Sequence, residues 1–146
     1  MTAVTRRSVA ARAFTLIELI AVIIVLAILS GIAIPKYIDY AAKAKESSCK
    51  GTLGATRSAI ANFYANSAVN GTATWPTLGQ MQTFGATGVM QEAIPANPYV
   101  SGATATTISA ATWAATPPVS GTNGWNYDAA TGKFWANSST VSENTW

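Results

Sequence analysis

The sequence predicts an α+β fold, one long N-terminal helix packed on a small antiparallel sheet, from three observations. An unbroken apolar run, FTLIELIAVIIVLAILSGIAI, fills residues 14–34 with Glu18 as its one carboxylate. An amphipathic stripe at steps of three, four and seven then continues to about residue 67. Far along the chain, Trp125 and Tyr127 alternate onto one face, residues 128–132 favour a turn, and Phe134 and Trp135 begin a return strand.

As a helix the apolar run matches a bilayer core of roughly 30 Å, at about 1.5 Å of rise per residue. A buried globular helix of that length would carry a polar stripe, and this one carries none after Glu18. Arg6, Arg7 and Arg12 precede the run and Lys36 follows it, a bias that holds the N-terminus in the cytoplasm and sends the rest across. Glu18 is costly in such a segment, by roughly 2.5–3.5 kcal/mol for an acidic residue at a helix centre and less near its end. On position alone it either reaches interfacial water or waits for a partner.

The neighbours of Glu18 narrow the choice. A basic leader, the small residue Ala13, and then Phe14-Thr15-Leu16-Ile17-Glu18-Leu19 closely resemble the processing signal of type IV prepilins and secretion pseudopilins. The resemblance implies a pilin-like fold, cleavage between Ala13 and Phe14 by a prepilin peptidase, and N-methylation of Phe14. It also implies an assembly role for Glu18, whose carboxylate would meet the Phe14 amine of a neighbouring subunit. Where the family usually has Gly before the cut, this chain has Ala13, still a small residue. The domains that follow are a leader over residues 1–13, a transmembrane and filament-core helix over 14–34, the amphipathic half of the helix over 35–70, and a small α+β region with a C-terminal hairpin over 71–146.

Composition excludes several alternatives. The chain is 49% hydrophobic and only 10% charged, against roughly 25% charged in an average soluble protein. Its net charge of +3 resides in the leader. From Phe14 onward Lys36, Lys43, Lys45, Lys50, Arg57 and Lys133 balance Glu18, Asp39, Glu46, Glu92, Asp128 and Glu143, so the basic pI reports topology and points to no nucleic acid. Histidine is absent, which removes the commonest general base and zinc ligand. Cys49 stands alone and cannot form an intramolecular disulfide. Major pseudopilins can bind calcium in a sheet loop, but three scattered carboxylates beyond the helix are too few for six to eight oxygen ligands. No enzyme activity, cofactor or metal is expected.

Taken in order, Gly31 and Pro35 mark a bend or soft segment, because Pro35 cannot donate to the Gly31 carbonyl and its ring crowds it. In the family a matching Pro marks a zone that loses helicity on assembly. From residue 36 the stripe is Ile38, Ala42, Cys49, Leu53, Thr56, Ile60, Phe63 and Tyr64, supported by the acid-first pairs Asp39–Lys43 and Glu46–Lys50. Asn70-Gly71 ends the helix, and Cys49 is expected in the core. Thr77 and Gln80 have the spacing of a capping box, so a short helix should begin at Leu78. Trp75-Pro76-Thr77 and residues 94–99 resemble family segments after the long helix. Residues 100–122 read as a surface loop with one strand over about 106–110, and residues 137–146 as a polar tail.

The function these features imply is that of a structural subunit of a type IV pilus or type II secretion pseudopilus. Its partners would be copies of itself in a helical filament, the prepilin peptidase, an inner-membrane assembly platform, and membrane lipid before assembly. It would sit in the bacterial inner membrane as a single-pass protein and then in a periplasmic or cell-surface filament. The alternative is an uncleaved, membrane-anchored extracytoplasmic binding domain that uses the aromatic hairpin as a ligand face.

Overall fold

The structure, a computed structural model, describes residues 14–86 and 88–146. Helix α1 spans Leu16–Val69 and α2 spans Leu78–Gln82, followed by strands β1 (Ile108–Ala110), β2 (Trp125–Asp128) and β3 (Lys133–Ala136). Two compact units divide at Tyr40 and Ala41. In the first, α1 carries exposed apolar side chains throughout, among them Leu16, Ile17, Ile23, Leu26 and Ile34.

The second unit holds the core. Cys49, Leu53 and Ile60 of α1 pack with Met81, Ile94, Ile108, Trp125, Tyr127, Phe134 and Ala136. The helix stripe is therefore buried from Cys49 to Ile60, whereas Ile38 and Ala42, expected on the same stripe, are exposed. The apolar period runs on past the part of the helix that the sheet covers. Glu46 and Lys50 form the expected ion pair at 2.6 Å.

The sheet has the order β1-β2-β3 and is mixed. The expected hairpin is present, with Tyr127 opposite Phe134 and Asp128 opposite Lys133. The expectation of a purely antiparallel sheet is corrected at β1, which pairs parallel to β2 with Ile108 beside Trp125. Residues 111–124 carry the chain back to allow this pairing, as a parallel pair requires. β1 is also shorter than expected, because Ala103–Thr106 forms a 3-10 turn.

All four β2 residues are buried, so both sheet faces are covered. One face carries Trp125 and Tyr127 into the core. Against the other lies the segment expected to be a free surface loop. Its Pro118 carbonyl accepts from Asn126 Nδ2 at 3.0 Å and from Trp135 Nε1 at 2.9 Å. Asn144 Nδ2 donates to Pro117 O at 3.0 Å, and Asn137 exchanges two bonds with Ser120. Buried amides thus strap this segment to the sheet. The polar tail is likewise folded in: Asn137 and Glu143 are fully buried. Burial pushes the Glu143 carboxyl up, but bonds from Ser138, Val141 and Thr140 outweigh it and hold the group below its ordinary value.

Local chemistry explains the connections. Thr77 and Gln80 form the capping box that starts α2 at Leu78. Tyr127 Oη donates to Pro76 O at 2.7 Å, which ties the Trp75-Pro76-Thr77 step to the sheet. Burial, then the Asp128 charge, pushes the Tyr127 phenol up to about 12. The hairpin turn is clamped by Asp128, whose carboxylate accepts from Trp113 N, Ala130 N and Thr131 Oγ1 at 2.9–3.0 Å. Gly132 closes the turn at φ +69°, and a Cβ there would lie 2.3 Å from the Trp75 ring.

Two expected outcomes follow from this packing. Cys49 is fully buried, and burial, then the nearby Glu143 carboxylate, raises its thiol to about 11. Thiol reagent at pH 8 should therefore modify the native full chain far more slowly than the denatured chain; rapid stoichiometric labelling without denaturant would contradict the packing. Asp128 is held below its ordinary value, first by the Trp113 amide. Because the folded value is depressed, its contribution is fully present above an unfolded value of about 3.9 and is lost as pH falls towards the folded value. Asp128→Asn should be less stable at pH 7 and should lose less stability between pH 5 and pH 3 than the parent chain. Denaturant melts across that range check both statements.

Candidate functional site

The expected assembly residues sit at the head of α1. Ala13, with the rest of the leader, lies outside the described residues. Phe14 is 87% exposed. Thr15 N and Thr15 Oγ1 both donate to Glu18 Oε2 at 2.8 Å, and Glu18 N donates back to Thr15 Oγ1 at 3.3 Å. This reciprocal exchange is a capping box that satisfies orphan donors where the helix begins.

The capping box changes the chemistry of Glu18. Its Oε2 is occupied within the subunit and its negative charge lies at the positive end of the helix. Among the described bonds Oε1 takes none, which leaves one oxygen for a second donor. Thr15 was not among the expected site residues, although Thr-x-x-Glu is a legible capping signal. Its place within the processing motif hid the second role.

Gly31 and Pro35 stand one turn apart inside α1. A Cβ at Gly31 would meet nothing within 4 Å. Beyond Glu18 the helix head offers apolar contact, and among the described residues one helix is long and apolar enough to cross a membrane. Such a surface can bury itself in lipid or against other apolar helices.

Part of the chain is similar to fimbrial protein EcpC of Eikenella corrodens, with 37% identity over 65 residues, 44% of this chain and 39% of that protein. It is also similar to the type IV major pilin protein PilA of Myxococcus xanthus, with 43% identity over 54 residues, 37% of this chain and 24% of the relative. Over the matched stretches the chain is similar to a fimbrial protein and a type IV major pilin. As matched, the chain spans well under half the length of either curated relative. No protein-family model matches it, and no solved structure does so significantly.

Proposed function

We propose that the chain is a structural subunit of a type IV pilus-like filament. It enters the bacterial inner membrane as a precursor with its N-terminus in the cytoplasm. The prepilin peptidase cleaves between Ala13 and Phe14 and Phe14 is N-methylated, after which an inner-membrane platform feeds the subunit into a filament of like chains. The observation that carries this reading is an exposed apolar helix headed by one capped carboxylate, in a chain whose relatives are named as a fimbrial protein and a major pilin.

In the membrane, lipid covers the apolar side chains of residues 14–34; in the filament, the same side chains of neighbouring subunits replace it. The exchange trades one apolar environment for another, so transfer is driven by packing and polar pairing more than by the hydrophobic effect. Gly31 and Pro35 supply a segment where the helix can yield during that transfer. The names of the relatives favour a pilus over a secretion pseudopilus. Mass analysis of the mature N-terminus tests the reading: an N-methylated Phe14 start is expected, and a chain that keeps residues 1–13 in the membrane would instead establish an anchored binding domain.

A further inference from the structure

The chain has five tryptophans, of which Trp125 and Trp135 are fully buried. The other three, Trp75, Trp113 and Trp146, are partly exposed and come from distant segments. All three line one groove of about 660 Å³ between α1 and the β3 edge, inside the unit formed by residues 41–146. Arg57 and Lys133 also line it, and among the described residues no acidic side chain does. The volume lies within the roughly 300–1,000 Å³ usual for ligand sites.

Its chemistry is specific. Arg57 is fixed by donating Nε to Phe134 O at 3.0 Å and Nη2 to Trp146 O, so its positive fork forms part of the wall. Lys133 is exposed, with Nζ 5.6 Å from the Trp113 ring centroid, a weak contact from which it can turn to a ligand. Indoles beside two cations suit a molecule that joins an apolar ring face to an anionic group. A pyranose has such a face in its axial C–H groups, and a uronate adds the carboxylate. A nucleic acid strand would need a row of cations along its phosphates, yet Lys133 is the only Lys or Arg after Arg57.

We propose that this groove binds an acidic saccharide, with its carboxylate at Lys133 and Arg57 and its ring against the partly exposed indoles of Trp113 and Trp146. The site belongs to the folded second unit and does not depend on whether the chain forms filaments. The test is a calorimetric titration of the detergent-solubilised full chain with a galacturonate oligosaccharide, a neutral hexose oligosaccharide of equal length, and a single-stranded oligonucleotide. Saturable binding of the galacturonate is expected, weakened at least tenfold by Lys133→Ala, further by Lys133→Glu, and unchanged by Lys45→Ala outside the groove. Lys133 is exposed, so its variants should keep the parent near-UV circular dichroism. No saturable binding, equal binding of the neutral sugar, tighter binding of the oligonucleotide, or an unchanged affinity in Lys133→Ala would each overturn the proposal.

Discussion

Trp125→Ala should lower the stability of the folded unit by about 3–5 kcal/mol, the usual cost of truncating a large aromatic in a core. Trp125 is fully buried and stacks on Phe134 with ring centroids 5.6 Å apart. It is also the β2 residue that faces Ile108 on one side and Ala136 on the other, so both strand pairings pass through it. Its Nε1 donates to Pro95 O at 3.0 Å, and truncation leaves that carbonyl without its donor. A domain has only about 5–15 kcal/mol in total. For a unit of this size the loss should appear as a midpoint drop on the order of 20 °C. Thermal melts of the full chain in detergent, followed by near-UV circular dichroism, measure it. Trp125→Phe separates the causes, because it keeps most of the volume and removes the N–H, for an expected loss of about 1–3 kcal/mol. An unchanged midpoint in Trp125→Ala would make this residue a surface aromatic and would dissolve the core as described.

The parts of this fold that were legible in sequence are those fixed by neighbours along the chain. Thr77 and Gln80 announce their helix because a capping box needs only three residues of spacing. Trp125, Tyr127 and Phe134 are legible as a hairpin through strand alternation and a turn, both local. The parallel pairing of β1 was not legible, since it depends on where residues 111–124 travel and not on the strand itself. Burial of Asn126, Asn137 and Asn144 was hidden for a related reason. An amide reads as a surface residue until its distant partner is known, and here the partners are Pro117, Pro118 and Ser120. The second sheet face followed the same logic, because Trp135 was read as part of a hairpin and its partner Trp113 lay in an apparent loop.

The candidate site divides in the same way. Phe14 and Glu18 are candidates because of a short contiguous motif, and the Thr15–Glu18 contact is legible from their spacing. The groove had no sequence signature at all. Trp75, Trp113 and Trp146 come together only through folding, and Arg57 reaches them by crossing from the helix to the β3 edge.

Glu18 replacement should have the largest effect on assembly and little on folding of the second unit. Glu18→Ala is expected to leave membrane insertion and the domain melt unchanged while reducing sheared filament to a small fraction of the parent yield. Two consequences are mixed in that variant, because the side chain both caps the helix through Thr15 and carries the charge. Losing the cap costs on the order of 1 kcal/mol. Losing the charge has a different consequence. In the proposed filament the Phe14 amine freed by cleavage and the Glu18 carboxylate would each lose much of their water, and either one alone would be strongly disfavoured. A pair formed between neighbours would therefore act on register, since a slipped subunit would strand both charges. The capped geometry suits this role, with Oε2 holding the helix start and Oε1 open to an amine. Glu18→Gln separates the two effects, because glutamine at the same position can keep the box and cannot carry the charge. Equal loss of filaments in Glu18→Gln and Glu18→Ala assigns the effect to the charge; near-parent yield in Glu18→Gln assigns it to the cap. Parent yield and filament length in Glu18→Ala, expressed as the only copy, would remove Glu18 from assembly altogether.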